Sequence, residues 1–267
     1  MLGPFAFAGR DGEDSVTHAE DEQAATPDHS AIPRYGRNLA GRDYAVGDVH
    51  GCFTALDRAL DAIGFDARVD RPFSVGDLVD RGPESHRVLQ WLDQSWFRAV
   101  CGNHELMTWR SALGDPYPHV DHLMHGGGWL ARLTAEEQRR IGRRLARLPL
   151  AIEVETAQGL VGLVHADCPF DDWHDMQRLR WDTLEPTGSI GDCCLWSIAR
   201  YDNRYERPVK NIRAVVHGHI TIRRAEVLGN VHFIDTGGWR PGGHFTLLEL
   251  ETLKPQRGPS AAGRKNR

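Results

Sequence analysis

An α/β domain holding two β-sheets is the fold the sequence predicts, and three observations predict it. Short apolar strand segments alternate with helix-period segments between Tyr44 and His104. From Leu150 onward the pattern turns to strands. A chain of 267 residues with 40% hydrophobic content can also bury one substantial core.

The elements follow in order. Tyr44-Ala45-Val46 reads as a short buried strand ending at Gly47-Asp48, and Phe53, Leu56, Leu60 and Ile63 fall on one face of the helix after it. Phe73-Ser74-Val75 is a second strand ending at Gly76-Asp77, followed by a helix through Val88, Leu89 and Leu92. Phe97 to Cys101 is the third, ending at Gly102-Asn103-His104. This β-α-β-α-β order implies parallel strands with right-handed crossovers. Gly114 to Gly128 is rich in Gly, His and Pro and reads as a loop. Thr134 with Glu137 forms a capping box opening a helix through Ile141, Leu145 and Leu148. Strands are then expected at 151–155, 160–165, 213–217, 225–228, 231–234 and 244–250. The folded domain is bounded at 41–252. Residues 1–40 are expected to be an unordered acidic tail and 253–267 an unordered basic one.

Bulk properties exclude several functions. A net charge of -5 gives no pull toward nucleic acid. No apolar run approaches the roughly 20 residues that cross a bilayer, and the apolar Met1 to Ala8 lacks the basic flank of a signal peptide. Cys52, Cys101, Cys168, Cys193 and Cys194 form no CxxC pair, so all five read as reduced thiols in a cytoplasmic protein.

The chemistry sits where strands end. The first gives Gly47-Asp48-Val49-His50-Gly51, the second Gly76-Asp77-Leu78-Val79-Asp80-Arg81-Gly82, and the third Gly102-Asn103-His104-Glu105. Loops at the carboxyl ends of strands converge in open α/β sheets. Asp48 and His50 are two apart, so an extended segment would point both the same way. Later strands end in Val164-His165-Ala166 and His217-Gly218-His219. One buried His or Asp is more often a satisfied core group than a ligand. Five such strand ends in one chain outweigh that reading. Carboxylates, imidazoles and one carboxamide without a thiolate suit Mn, Fe, Zn or a mixture. Two cations about 3.5–4 Å apart would need a bridging carboxylate, for which Asp77 is the natural choice.

These three glycine-bracketed blocks resemble the signature of the phosphoprotein-phosphatase branch of the calcineurin-like metallophosphoesterases, nearest its bacterial and bacteriophage-lambda-type protein phosphatases. The resemblance extends through Cys52 to Phe65, Leu148-Pro149-Leu150, His165 to Asp171, Ile234-Asp235-Thr236-Gly237 and Phe245 to Leu250. It implies a two-sheet sandwich with helices on its outer faces. It implies that Asp48 and His50 hold a first metal, that Asp77 bridges, and that Asn103, His165 and His219 hold a second. A water between the cations would attack phosphorus in line. His104 would protonate the leaving oxygen, Asp80 would orient the His104 ring, and Arg81 would grip phosphate oxygens. The substrate implied is a phosphoprotein bearing phosphoserine or phosphothreonine, with phosphotyrosine and phosphohistidine as further candidates. Symmetrical dinucleoside tetraphosphates or nucleotides are the alternative.

Two departures from the family stand out. Cys101 replaces an arginine common before Gly-Asn-His-Glu, and Trp196-Ser197-Ile198 lacks the arginine expected two residues after the tryptophan. Arg200 is expected to supply the missing phosphate contact by a shifted loop path. Cys52 to Arg58 and Cys194 to Arg200 match the Cys-x5-Arg spacing of cysteine phosphatases, but neither has the intervening glycine. His119, His122 and His125 read as part of a loop bordering the active-site mouth rather than an extra metal site. Arg139, Arg140, Arg143, Arg144 and Arg147 read as a solvated helix face, and Trp91, Trp96 and Trp109 as core.

Overall fold

A computed structural model describes residues 32–114, 119–179 and 190–260. The chain runs β1 (Arg34–Tyr35), β2 (Asp43–Val46), α1 (Phe53–Ala62), β3 (Arg71–Ser74), α2 (Val88–Leu92), β4 (Arg98–Ala99), α3 (Asn103–Leu113), α4 (His119–Met124) and α5 (Ala135–Leu145). It continues through β5 (Ala151–Thr156), β6 (Gly159–Val164), α6 (Ile190–Trp196), α7 (Ala199–Asp202) and β7 (Ala214–His217). It ends with β8 (Glu226–Leu228), β9 (Val231–Phe233), β10 (His244–Glu249) and β11 (Lys254–Ser260).

Two mixed sheets result, a five-stranded one in the order β11-β10-β2-β3-β4 and a six-stranded one in the order β1-β5-β6-β7-β9-β8. The predicted β2, β3 and β4 are parallel neighbours, and β10 closes on β2 antiparallel. Strand alternation divides the core in two. Ala45, Phe73, Ile152, Val161, Val216 and Leu248 come from both sheets and pack in one cluster. Tyr44 and Val46, on the other face of β2, pack in a second cluster with Phe53, Leu56 and Leu60 of α1. The expected tryptophan core is present: Trp91 stacks on Phe53 at 5.3 Å and meets Trp96 edge-on at 5.6 Å, while Trp109 packs against the same cluster. The Thr134 cap of α5 forms as expected, with Glu137 N–H donating to Thr134 Oγ1 and Thr134 N–H to Glu137 Oε2.

Three expectations need correction. Lys254–Ser260 is not part of a loose basic tail; it pairs antiparallel with β10 as an edge strand. Its Lys, Pro and Arg conceal a strand held by backbone bonds rather than by buried side chains. At the other end, Arg34 and Tyr35 lie in β1, paired with Glu153 and Val154, so the folded region begins before residue 41. His119–Met124 is helical rather than loop. The remainder of the expected tails, residues 1–31 and 261–267, lies outside the described residues. No helix among the described residues is long and apolar enough to cross a membrane.

Candidate active site

The loops after β2, β3, β6 and β7 meet, and backbone hydrogen bonds hold them together. Both carboxylate oxygens of Asp48 accept the N–H of His219 at 3.1 Å, which ties the two sheets to each other. The Asp77 carbonyl accepts the N–H groups of Val49 and His50 at 2.9 and 2.8 Å. Asp48 and His50 therefore converge through a turn, not through an extended segment, and His50 has φ 44°. Asp77, Asp80, Arg81 and His219 also have positive φ, at 51°, 70°, 61° and 64°. Such conformations cost an L-residue energy and persist where surrounding structure imposes them. Two glycines let these loops approach: a Cβ on Gly218 would stand 2.0 Å from Asp48 Oδ1, and one on Gly102 2.2 Å from Asp77 Oδ1.

Asp77 lies at the centre, 2% exposed. Its Oδ2 is 3.6 Å from His50 Nε2, and its Oδ1 is 3.3 Å from His165 Nε2. Two groups of potential ligand atoms share it: His50, Asp77 and His104 on one side, and Asp77, His165 and His219 on the other. Asp48 Oδ2 lies 4.0 Å from His50 Nε2. On the second side the rings of His165 and His219 meet at 5.0 Å. The His165 Nδ1 hydrogen is committed to the Val75 carbonyl at 2.7 Å. Its Nε2 lone pair then faces Asn103 Oδ1 at 2.9 Å. Acceptor against acceptor is a contact that a cation resolves.

The electrostatics agree. Burial, reinforced by Asp235 and Asp77, pushes Asp48 well above the usual carboxyl range; burial and Glu105 do the same to Asp77. Burial drives His50 and His165 well below the usual imidazole value and lowers His219 to about 4. Carboxylates short of positive charge beside neutral imidazoles form a donor set fit for divalent cations.

His104 sits on one rim of this cluster. Its Nδ1 donates to Asp80 Oδ2 at 2.7 Å, which leaves Nε2 facing the site. Burial would raise the Asp80 pKa, but hydrogen bonds from His104 and His122 outweigh it and hold the carboxyl below its usual range. Arg81 donates to Nε2 of both His50 and His104 at 3.1 Å, and its guanidinium lies 4.7 Å from the centre of the Trp239 ring.

Arg200 is elsewhere. It is 6% exposed, with Nε 3.4 Å from Asp167 Oδ1 and Nη1 donating to the carbonyls of Tyr205 and Arg207 at 3.1 and 3.0 Å. A guanidinium so engaged ties α7 and the segment after it to Asp167 instead of reaching phosphate. Cys101 is fully buried and supplies no substitute cation. The cysteine decoys fall as well: burial raises the Cys52 thiol to about 11 and Cys194 well above its usual value, the opposite of an activated nucleophile.

Five residues around the site were given no catalytic or ligand role by the sequence reading. Glu105 accepts the N–H groups of Gly102, Asp77, Leu78 and Val79. Asp235 is buried beside Asp48 and accepts Thr221 Oγ1 at 2.7 Å. Trp239 meets the His50 ring edge-on at 4.9 Å, and His122 and Trp129 both reach Asp80. Glu105 and Asp235 lie in blocks that carried the family resemblance, so a signal existed for them. His122 was expected only in a loop bordering the active-site mouth, and Trp129 and Trp239 had no signal beyond their residue type.

A buried carboxylate–imidazole cluster at the converging strand ends of a two-sheet α/β sandwich, with an arginine and a His-Asp pair beside it, defines a metal-assisted phosphoester hydrolase. Residues 44–223 match the calcineurin-like phosphoesterase family. The chain belongs to that family and is a phosphatase dependent on divalent metal ions. It is 35% identical over 211 residues to serine/threonine-protein phosphatase 1 of Salmonella typhimurium, covering 78% of this chain and 91% of that relative. It is 36% identical over 151 residues to a symmetrical bis(5'-nucleosyl)-tetraphosphatase of Coxiella burnetii, covering 56% of this chain and 48% of that relative. Among solved structures, a protein serine/threonine phosphatase from Saccharomyces cerevisiae shares the fold with a TM-score of 0.60. That match has 15% identity and covers 90% of this chain and 86% of that one.

Proposed function

We propose that the protein removes phosphate from serine and threonine side chains of phosphoproteins, with phosphotyrosine and phosphohistidine open to the same chemistry. The observation that carries this reading is Asp77, which offers one carboxylate oxygen to each half of a two-sided ligand cluster. Asp48 and His50 on one side, and Asn103, His165 and His219 on the other, would hold two divalent cations, with Mn first and Fe or Zn as alternatives. Bound there, the cations supply Lewis-acid charge for phosphoryl oxygens and lower the pKa of water.

The chain's own residues do the rest. Arg81, planar and permanently charged, turns from His50 and His104 to the phosphate oxygens of an entering substrate. His104, whose Nδ1 hydrogen is held by Asp80, exchanges protons with the leaving oxygen through Nε2. With five free cysteines and a net acidic chain, we place the activity in a reducing cytoplasmic compartment and expect no nucleic-acid partner.

The decisive test is hydrolysis of p-nitrophenyl phosphate by metal-stripped protein, with Mn²⁺ added back, in wild type and Asp77→Asn. Activity that requires the metal and collapses in the variant supports the reading; turnover indifferent to metal overturns it. The tetraphosphatase reading is favoured by one observation, the 36% identity over 151 residues to the Coxiella enzyme. Turnover of phosphopeptides set against a dinucleoside tetraphosphate separates the two.

A further inference from the structure

Asp80 has more partners than orienting one histidine requires. It is fully buried, and its Oδ2 accepts His104 Nδ1 at 2.7 Å. Its Oδ1 accepts Trp129 Nε1 at 2.7 Å and lies 3.0 Å from His122 Nε2. An indole nitrogen can only donate, and an ionised carboxylate can only accept, so the direction of both contacts is fixed. His122 is 2% exposed. The same Nε2 lies 3.0 Å from Thr108 Oγ1 on α3, one helical turn beyond His104. The Gly127 backbone presses on the His122 ring so closely that a Cβ there would stand 2.2 Å from it.

Two donors on one oxygen limit rotation of the carboxylate about its Cβ–Cγ bond. The other oxygen then stays aimed at His104 Nδ1, and the imidazole plane is set with it. Asp80 also holds φ 70°, a conformation that side-chain anchors help to maintain. Thus α4 and the turn after it, which reach into the site from 42 and 49 residues along the chain, clamp the far side of the His-Asp pair.

We propose that His122 and Trp129 are positioning residues that set the His104 imidazole through Asp80. The inference rests on His104 being the proton donor to the leaving oxygen. An error in that donor's aim is felt in proportion to the leaving group's need for a proton.

The test compares a phosphoserine peptide, whose alkoxide must be protonated, with 2,4-dinitrophenyl phosphate, whose phenolate leaves unaided. It uses Mn²⁺-loaded wild type, Trp129→Phe, His122→Leu, His122→Gln and His104→Ala. Trp129→Phe and His122→Leu should each lower kcat on the peptide by about tenfold or more, with KM within about twofold. On the dinitrophenyl ester the loss should stay below about threefold, and bound Mn²⁺ should be unchanged. His122→Gln, whose amide N–H can still reach Oδ1, should recover much of the loss. Trp129→Phe removes the N–H together with part of a ring that is only partly buried, so it decides the matter even where His122→Leu fails to fold. Equal losses on both substrates, or none on either, overturn the inference. If His104→Ala itself shows no leaving-group dependence, the proton-donor reading fails. If His104→Ala shows it and the other variants do not, the inference alone fails.

Discussion

Glu105 Oε2 accepts the backbone N–H of Asp77 at 2.7 Å, so the residue after Asn103 and His104 fixes the backbone of the central carboxylate, the one proposed to bridge two cations. Oε1 accepts Leu78 N–H at 2.7 Å and Val79 N–H at 3.3 Å, and Oε2 accepts Gly102 N–H at 2.9 Å. One buried side chain thereby satisfies four donors across two loops. Only a carboxylate presents acceptors on both sides.

Glu105→Gln tests that dependence. Its amide NH₂ must face backbone N–H donors, and each buried group left unsatisfied costs about 1–3 kcal/mol. A distorted Asp77 should also weaken divalent-metal affinity by about 10–100-fold. Thermal melts and competition titration with a chromophoric chelator would measure both effects. An unchanged affinity would show that the Asp77 loop holds its shape without Glu105.

Arg200→Ala should act on stability rather than on substrate. The guanidinium holds Asp167 and two carbonyls in a buried position, and hydrogen bonds to a charged group are worth about 1.5–3 kcal/mol. We expect a drop in Tm with KM for p-nitrophenyl phosphate unaltered once the variant is assayed well below its melting point. A selective rise in KM would return Arg200 to the phosphate.

Stability should respond to pH and metal together. Asp48 and Asp77 have raised folded-state pKa values, caused first by burial, so the native state holds their protons more tightly than the unfolded chain does. Their stabilising contribution is full below the unfolded value near 4 and is lost as pH rises through the raised values. His219 works in the opposite sense. Burial lowers it to about 4 against an ordinary 6.5, so stability is lost as pH falls between those values. Glu105, raised to about 7 chiefly by burial, carries the carboxyl effect past about pH 6.5, where His219 no longer opposes it. Chelator-treated protein should therefore melt lower at about pH 8 than at about pH 6.5, and added Mn²⁺ should raise Tm more at the higher pH, with protons released. Calorimetry in two buffers would check this; a metal-induced Tm gain independent of pH would count against it.

A thiol nucleophile predicts sensitivity to alkylation, and the structure predicts none at Cys52. Its thiol is raised to about 11, chiefly by burial, and Sγ lies 3.6 Å from the Trp239 carbonyl. Cys52→Ser should retain kcat within about twofold, since removal of an unreactive thiol leaves the donor set of the site intact. A loss of several orders of magnitude would reopen the cysteine mechanism.

The parallel β2-β3-β4 unit and the residues at its strand ends were legible because their signal is local. A short apolar run buries a strand on both faces, and the glycine-bracketed Asp, His and Asn beyond it stand in the chain where the loops must converge. Two later histidines, His165 and His219, follow strands of the other sheet for the same reason. Residue type and position in the pattern sufficed for all six expected ligands to be found facing one another or one step removed.

What the sequence left open depends on contacts between distant segments. Lys254–Ser260 carries no apolar alternation, because β11 is an edge strand whose attachment is made by its backbone to β10. Arg200 could be assigned to phosphate from its position in a loop, yet a buried guanidinium goes where acceptors are, and the fold puts Asp167 and two carbonyls beside it. His122 and Trp129 acquire their place only when α4 and the following turn fold back over Asp80, 42 and 49 residues away. By itself, then, the sequence determined which chemistry the strand ends could carry, since hydrophobic period and turn residues act over a few positions. Tertiary structure alone decided which polar side chains complete the site, because a hydrogen bond is specified by where two groups meet in space and not by their separation along the chain.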